Sequence, residues 1–375
     1  MARRAPKVLF EILIVILKIG LALGFSIGIL TLIIIISEKY APEADYNPSI
    51  DLDNCSQDYW KYTGFKGSLS CALAPSEIEK LTPVSKNLKD PTVQGSAWKV
   101  LEWIDKNIDY NYTKAELEDC VIYWRNGSAV SVEGNKTIQR PLETIVRGMG
   151  ICSDIAILTA ALLLNMNISP VYLFEIQFLE ENETHASSAI KINGEYFMLD
   201  QHLPIKALGG YYEHWRIFGK ASSNESRTII NAEVYEVKVL NGNIKIANVE
   251  NLSQEDFIKK IHSIDSQELK RLESDIFSLI IQKYPNLKAD SKIQNLDVME
   301  YTPRGYRDGI TWTHKNKRLV IYYSPEFRQQ FAEQIIQKLT ENSEVNKDLQ
   351  THNRFWLELE KKDNDLRLRL HLANR

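Results

Sequence analysis

The feature that most restricts the fold of this chain is a long apolar run near its amino terminus. Residues 8–36 read VLFEILIVILKIGLALGFSIGILTLIIII, and the 18 residues from Ile19 to Ile36 carry no charge. About 20 helical residues cross the hydrocarbon core of a bilayer. A cleaved signal peptide is the alternative, but the run is too long for one and no A-x-A-like site follows it. We therefore expect an uncleaved transmembrane helix within residues 1–39.

The charges beside this run predict its orientation and the partners of the rest of the chain. Arg3, Arg4 and Lys7 precede the run, which favours a cytoplasmic amino terminus and a single-pass membrane protein with its remainder outside the cytoplasm. The net charge of the whole chain is −4 although residues 1–37 are basic, so the exported part is acidic. A surface of that charge excludes nucleic acid as an expected partner.

The four cysteines of the 375 residues are too few for a disulfide-dense scaffold. Cys55 and Cys71 lie 16 residues apart in a short segment and can form a disulfide in an oxidising compartment. Two unpaired thiols are the alternative, and Cys120 is a possible competitor for either partner. Pairing therefore stays open at the level of sequence.

Hydrophobic periodicity and turn residues predict an α+β fold in four parts. Helical patterns end at Asn107 and begin again near Cys152, and a β region follows from Val171 to about Ile205. Later patterns predict a hairpin around Asn241-Gly242, a helix over 253–283, a strand pair formed by ITWT and RLVIYYS, a helix from Ser324, and a closing hairpin. The predicted parts are a cytoplasmic tip and transmembrane helix (1–39), a linker and Cys-containing segment (40–84), a core (85–210), and a C-terminal α+β domain without an assigned role (211–375).

The segment RGMGICSDIAILTAALLL, residues 147–164, places Cys152 at the start of an apolar helix. The amino end of a helix has positive potential and free amide donors, and both favour the thiolate, which is the nucleophilic form of cysteine. Taken alone, a cysteine in this position is more often a small buried apolar residue. A second segment is needed to decide between the two interpretations.

That second segment is THASSAIKINGEYFMLDQHLPI, residues 184–205, which predicts two strands joined by an Asn193-Gly194 turn. The turn pairs Ile192 with Glu195 and therefore makes His185 and Asp200 diagonal neighbours on one face of the hairpin. A carboxylate beside a histidine fixes its tautomer and stabilises the imidazolium, so that the ring can exchange protons with a thiol. Taken alone, His185 can be explained as a polar residue at a strand start and Asp200 as a strand-end cap. Their placement side by side favours a catalytic site.

The segments AWKVLEWIDKNIDY, GICSDIAILTAALL, NISPVYL, HASSAI and EYFMLD follow one another within residues 92–205. In this order they resemble the transglutaminase-like core, a branch of the papain-like cysteine enzymes found in many archaeal and bacterial proteins. The resemblance implies a papain-like fold, with a cysteine at a helix amino terminus packed on an antiparallel sheet. It also implies that Cys152 is the nucleophile, His185 the base and Asp200 the residue that orients the base.

One departure from the family pattern concerns the pocket. The family often has Trp two residues after the histidine, where this chain has Ser187, which faces the site in the predicted register. Family members use an upstream Trp at the oxyanion pocket, which makes Trp124 a candidate, although a packing role for it is preferred. The backbone amide of Cys152 is the favoured oxyanion donor. His202 is an alternative base that is less favoured because its partner acid is not evident.

These observations lead to one expected function and two rivals. We expect a membrane-anchored, extracytoplasmic thiol enzyme that cleaves or transfers amide or peptide bonds of a peptide, protein or envelope polymer, with hydrolysis favoured over cross-linking. The first rival is a non-catalytic envelope-binding or assembly module, and the second is a structural disulfide between Cys120 and Cys152. The sequence has no H-E-x-x-H, Cys-x-x-Cys, P-loop or Rossmann motif, so no metal, nucleotide or other cofactor is expected.

Overall fold

The computed structural model describes residues 55, 58–125, 128–180, 184–218, 227–261, 263–294, 296 and 304–375. The chain divides into two compact units, of which one comprises Leu52–Ile122 and Val132–Arg375 and the other comprises Met1–Asp51 and Tyr123–Ser131. The two larger sheets, the core and the candidate site all belong to the first unit.

The helices lie mainly before the central strands and again in the last third of the chain. The α-helices, in chain order, are α1 (Gly64–Ala72), α2 (Pro75–Glu79), α3 (Thr82–Leu88), α4 (Val93–Asn107), α5 (Tyr112–Ala115), α6 (Pro141–Arg147), α7 (Cys152–Asn165), α8 (Leu208–Phe218), α9 (Gln254–Ile258), α10 (Ser266–Lys283), α11 (Leu319–Tyr322), α12 (Arg328–Glu341) and α13 (Ser343–Thr351). Short 3₁₀ turns cover Asp58–Tyr62, Ser291–Ile293 and Pro325–Phe327.

The strands form two larger and two small sheets within the described residues. In chain order they are β1 (Asp109–Tyr110), β2 (Val121–Arg125), β3 (Ser128–Glu133), β4 (Met149–Gly150), β5 (Val171–Phe178), β6 (Thr184–Ile192), β7 (Glu195–Leu199), β8 (Lys206–Ala207), β9 (Ile229–Leu240), β10 (Asn243–Ser253), β11 (Lys288–Ala289), β12 (Asp308–Asn316), β13 (Arg354–Lys362) and β14 (Asp365–Asn374). The small sheets pair β1 with β4 and β2 with β3.

The expected fold class needs one correction, because it included a transmembrane helix. None of the helices in the described ranges is long and apolar enough to cross a bilayer. Residues 1–39, where the sequence predicts that helix, lie outside the described residues. The described part of the chain is a mixed α/β fold.

A six-stranded antiparallel sheet in the order β10-β9-β5-β6-β7-β8 forms the centre of the first unit. Alternate residues of a strand point to opposite faces, and both faces of the sheet are buried along β5, β6 and β7. Along β5, Val171 and Leu173 belong to one apolar cluster, whereas Phe174 and Ile176 belong to another. Polar groups inside such a sheet need partners, because burial without a hydrogen bond is costly.

The position of β9 and β10 bears on the domain division. Both strands come after residue 210, yet β9 pairs with β5 and extends the central sheet. One sheet therefore contains strands from both sides of the expected boundary, and the four-part division of the chain stays a prediction.

The turn at Asn193 and Gly194 sets the register of β6 against β7. Both residues have left-handed backbone, with φ of 52° and 84°, as a type I′ turn requires. Ile192 pairs with Glu195, and Ser188 pairs with Leu199. The register expected from the sequence is confirmed over these pairs.

Helix α7 packs against β5 and β6 on one side and against α3, α4 and α6 on others. Its residues from Ser153 to Leu164 are buried. A helix that is apolar all round is stable only when protein covers every side, which this packing provides. The first residue of α7 is therefore held on a rigid element.

The second large sheet has the order β11-β13-β14-β12 and lies in the last third of the chain. Its closing hairpin pairs Leu357 with Leu370 and Leu359 with Leu368, and all four side chains are buried. Helix α10 packs against β13 and also against α12. The expected closing hairpin with one apolar and one charged face is confirmed.

The segment RLVIYYS was expected to be a strand, and this expectation is wrong. It forms the short helix α11, which starts after Arg318 in left-handed backbone with φ of 59°. Leu319, Val320 and Tyr322 are buried. A short apolar run fits a buried strand or a buried helix equally well, so periodicity alone does not separate the two.

Two other segments also differ from expectation. The helix expected over 253–283 is divided into α9 and α10, because the Asp265 carboxylate caps a new helix by accepting from the amides of Gln267 (2.7 Å) and Glu268 (2.8 Å). The described part of the segment 40–84, expected to be a linker and Cys-containing segment, contains α1, α2 and the first three residues of α3. Short helices of this length depend on tertiary packing rather than on a pattern visible in sequence.

Candidate active site

Cys152 is the first residue of α7, and its thiol is free and partly buried. Gly148 ends α6 in left-handed backbone with φ of 64°, and the amide of Asn111 donates to the Gly150 carbonyl over 2.9 Å. A Cβ on Gly150 would lie 2.9 Å from the Cβ of Asp154, a spacing that only glycine permits. These contacts fix the chain as it enters the helix.

Asp154 anchors the start of α7 from inside the protein. Its buried carboxylate accepts from the amide of Ile151 (3.0 Å), from the amide of Gln139 (2.8 Å) and from Lys114 Nζ (2.5 Å). A carboxylate in the first helical turn also complements the helix dipole. Asp154 is therefore a structural residue that holds the segment before Cys152 in place.

His185 and Asp200 meet across the hairpin of β6 and β7. His185 Nε2 lies 2.9 Å from Asp200 Oδ2, and both side chains are more than nine-tenths buried. The two residues lie on the same face because the turn register places them diagonally. The juxtaposition expected from the sequence is present in the structure.

The Cys152 side chain is the next group that acts on the His185 ring. Because Nε2 is directed at Asp200, Nδ1 is the ring nitrogen left for the sulfur. Burial alone would lower the pKa of His185, but the Asp200 charge, the hydrogen bond to Asp200 and the neighbouring Cys152 side chain raise the pKa to about 10. The ring is therefore an imidazolium at neutral pH, and its charge is matched by the carboxylate.

Asp200 is ionised although it is buried. Burial would raise the pKa of its carboxyl, but the charge of His185 and the hydrogen bonds from His185 and Tyr211 lower the pKa to about 2. Tyr211 Oη donates to Asp200 Oδ2 over 2.7 Å. Lys206, also buried, adds a favourable positive charge, and burial lowers the pKa of that lysine to about 8.

Aromatic rings pack against the His185 ring. The Trp215 ring stands edge-on to the imidazole with ring centroids 4.9 Å apart, and Phe178 lies 4.9 Å from Trp215. Such a cover excludes water from a charge pair and strengthens the attraction between its members. It also holds the plane of the imidazole ring.

The two pocket residues expected from the sequence have different environments. Ser187 is buried, and its hydroxyl donates to the Ser188 carbonyl (3.3 Å). Trp124 lies on β2 within the other compact unit and is 60% exposed. The catalytic roles of Cys152, His185 and Asp200 stay predictions. The pocket roles of Ser187 and Trp124 also stay predictions.

The side chain of His202, the alternative base, pairs with a different carboxylate. Its Nδ1 is 2.5 Å from Asp105 Oδ1 on α4, and its side chain is 69% exposed. No acidic partner of His202 was evident from the sequence. In the structure that partner is Asp105. Since this pair is exposed and His185 holds the buried carboxylate, His185 is the better candidate base.

The remaining cysteines are now assigned. Cys55 and Cys71 form a disulfide with Cα atoms 5.1 Å apart, whereas Cys120 and Cys152 are both free. The rival interpretation, a disulfide between Cys120 and Cys152, is therefore wrong for this structure. Among the described residues, no group of three or more His, Cys, Asp or Glu side chains is placed to hold a metal ion.

Sequence reasoning missed Tyr211, Trp215 and Lys206. All three residues follow β7 in the chain. No sequence pattern predicts that a helix after a hairpin will pack on one particular face of that hairpin. The only available signal was composition, since the segment YYEHW in α8 is rich in aromatic and polar residues. Their roles depend on how α8 folds back onto the central sheet.

Comparison with known proteins identifies the family of this chain. A family model described as a transglutaminase-like domain, DUF553, matches residues 79–235. A UPF0252 protein of Pyrococcus furiosus is 30% identical over 82% of this chain and 84% of its own length. A UPF0252 protein of Archaeoglobus fulgidus is 33% identical over 77% of this chain and 83% of its own length.

A solved structure of Legionella pneumophila LapG covers 53% of this chain and 90% of its own chain, at 17% identity and a TM-score of 0.27. Similarity at that level carries no conclusion here. The family model and the full-length relatives are sufficient by themselves. The chain belongs to the UPF0252 family and has a transglutaminase-like core.

Proposed function

We propose that this protein is a cysteine hydrolase or acyltransferase that acts on amide or peptide bonds. The observation that carries the proposal is the buried pair of His185 and Asp200, whose ring is acted on by the Cys152 side chain at the start of α7. A nucleophile bonded to a base, with the base oriented by a third group, is the arrangement used in nucleophilic catalysis. Membership of a family with a transglutaminase-like domain supports the same class of chemistry.

In the first step, the Cys152 sulfur attacks the amide carbonyl carbon, and the carbonyl electron pair moves onto oxygen. The backbone N–H of Cys152 is the proposed donor to that oxyanion, because N–H groups in the first turn of a helix have no intrahelical partner. The His185 imidazolium then gives its proton to the nitrogen as the C–N bond breaks. The products of this step are a thioester on Cys152 and a free amine.

In the second step, an acceptor attacks the thioester carbon while the now neutral His185 ring takes its proton. The C–S bond breaks, the sulfur leaves as the thiolate, and the ring is again an imidazolium. Water as acceptor gives an acid, and an amine as acceptor gives a new amide. We favour water, because an amine acceptor requires a second binding site beside the thioester. The proposed substrate is a peptide, a protein or an envelope polymer with amide bonds.

The proposal is tested with the purified full-length chain and a set of peptide amides, together with a thiol-directed peptide vinyl sulfone probe. The probe should label Cys152, and C152A should lower amide cleavage by about 10⁶-fold, the scale seen when the nucleophile of a triad is removed. C120A is the matched control, because Cys120 is the other free thiol, and it should retain activity and labelling.

The two acceptors are separated by adding a fluorescent primary amine. Products that carry the fluorophore would show transfer, and free acid alone would show hydrolysis. If C152A and the unmodified chain cleave at the same rate, or if neither cleaves and the probe does not react, the proposal fails. The second result favours the non-catalytic envelope-binding or assembly module.

We also propose that the folded region works in an oxidising compartment outside the cytoplasm. The support is the Cys55–Cys71 disulfide, since such bonds persist mainly where thiol reductants are absent. Mass spectrometry of the chain, alkylated during lysis of the cells that produce it naturally, should find these two cysteines bridged. Finding both alkylated would contradict this proposal and leave the catalytic one untouched.

A further inference from the structure

We propose that Tyr211 is a positioning residue of the candidate triad, whose phenol holds the Asp200 carboxylate in the orientation that accepts from His185. Its effect on rate rests on the proposed function, whereas the contact itself does not. The inference therefore has one kinetic consequence and one structural consequence, which are measured separately.

Two donors converge on a single oxygen of Asp200. Tyr211 Oη donates to Oδ2 over 2.7 Å, and His185 Nε2 lies 2.9 Å from the same atom. Hydrogen bonds to an ionised acceptor are about twice as strong as those between neutral groups. A carboxylate held by only one of these donors can turn about its Cβ–Cγ bond, and with both donors its oxygen is fixed.

The phenol of Tyr211 is a permanent donor. Burial and the charge of Asp200 raise its pKa well above 10, so that the hydroxyl keeps its proton throughout the neutral range. Ser187 lies near enough to the same phenol to act on its pKa. Ser187 occupies the position where the resembling family often has Trp, and its contact with Tyr211 gives the small side chain a structural reason.

Tyr211 is rigid enough to act as a fixed support. It is fully buried on α8, in the apolar cluster that contains Phe174 and Phe178 of the central sheet. Its ring lies 6.2 Å from the Trp215 ring that covers His185. Tyr211 and the ring cover therefore belong to one helix, which places the donor and the water-excluding group together.

The adjacent residue provides a matched control. Tyr212 is on the same helix and is also buried, but its hydroxyl accepts from Gln254 Nε2 over 3.0 Å and does not touch the triad. Y211F and Y212F thus each remove one buried hydroxyl from the same element. Only the first removes a donor from Asp200.

The first measurement is steady-state kinetics on a peptide amide that the unmodified chain cleaves. Y211F should lower kcat by about tenfold to a hundredfold at unchanged KM, the range expected for loss of a hydrogen bond to a charged group. Y212F should change kcat by less than about twofold. A kcat for Y211F as high as that of Y212F overturns the positioning role.

The second measurement does not depend on activity. The His185 Nε2 proton, donated to a carboxylate, should give a low-field NMR signal that is absent in H185Q. In Y211F that signal should broaden or disappear, because the loosened carboxylate lets the proton exchange with water, and in Y212F it should persist. An unchanged shift and line width in folded Y211F overturns the proposal, even if the chain proves to have no amidase activity.

A third variant covers the case in which Y211F fails to fold. Incorporation of 3-fluorotyrosine at position 211 keeps the ring and the hydroxyl but makes the phenol a stronger donor. The His185 signal should then shift while the circular dichroism spectrum stays the same. A signal that does not move would overturn the proposal, whereas loss of probe labelling at Cys152 in the unmodified chain would count only against the proposed function.

Discussion

The two large sheets place very different side chains in their interiors. The central six-stranded sheet buries His185, Ser187 and Ser188 on one strand, next to the carboxylate of Asp200. The four-stranded sheet of the last third fills one face with Leu357, Leu368, Leu370 and Leu372. Buried polar groups cost free energy unless they are hydrogen-bonded, whereas buried leucines stabilise the fold without needing a partner. This is the difference expected if the first interior holds the proposed site and the second serves packing alone.

Two histidines in or beside the central sheet show what decides the charge of a buried imidazole. Burial lowers the pKa of His214, which hydrogen-bonds to Tyr322 over 3.1 Å, to about 3. Burial acts on His185 in the same direction, but the Asp200 charge reverses the shift. The partner rather than the degree of burial therefore decides whether a buried histidine is charged.

The largest expected effect comes from removing the charge of that partner. D200N keeps the shape of Asp200 but should lower kcat for amide cleavage by about 10⁴-fold, because His185 loses the group that fixes its tautomer. D105N is the matched control, since it removes the carboxylate beside exposed His202 and should leave kcat within about threefold. Equal losses in the two variants would mean that the buried pair has no special role.

The second sheet should respond to substitution in stability alone. L370A removes a fully buried side chain opposite Leu357 and should lower the free energy of unfolding by about 2–5 kcal/mol. L240A, at a position that is 40% exposed, should cost less than about 0.5 kcal/mol. Urea unfolding gives both values. A loss of activity in folded L370A comparable to that of D200N would erase the distinction between the two sheets.

The stability of the first interior should depend on pH. The pKa of His185 is about 10 in the folded chain and about 6.5 when unfolded, so the folded state binds its proton more tightly. The resulting stabilisation is complete below about pH 6.5 and is lost as the pH rises through about 10, and its size is on the order of a few kcal/mol. Urea unfolding across this range should show the loss in the unmodified chain and not in H185Q. The same profile in both would refute the coupling.

The smallest effect is expected on the charged face of the second sheet. Glu360 lies 3.0 Å from Arg369 across the closing hairpin, and the glutamate side chain is 50% exposed. Exposed ion pairs contribute at most about 1 kcal/mol, so E360Q should change the free energy of unfolding by less than that. Urea unfolding at low and high salt checks the value. A loss above about 2 kcal/mol would show that this face supports the fold as strongly as its leucines do.

The candidate triad could be predicted from sequence because each member lies in a segment with its own strong local signal. Cys152 begins an apolar helix, and Asn193-Gly194 fixes the hairpin that aligns His185 with Asp200. Both signals are local, since helix periodicity and turn chemistry act within about ten residues of the chain.

The parts that the sequence did not predict depend on contacts between distant segments. Tyr211 reaches Asp200 only because α8 folds onto the central sheet, and Asp105 meets His202 across 97 residues of chain. RLVIYYS became a helix because its surroundings, rather than its own pattern, select between two buried conformations. Periodicity carries no information about such pairings.

The most direct test of the central claim compares alkylation of the two free thiols within one molecule. Iodoacetamide is added to the folded chain at neutral pH, and modification of Cys152 and Cys120 is followed by mass spectrometry of their peptides. If Cys152, His185 and Asp200 act as one unit, Cys152 should react at least about tenfold faster than Cys120 in the unmodified chain and lose that advantage in H185Q. A Cys152 that reacts no faster than Cys120, or equally fast in H185Q, would contradict the account.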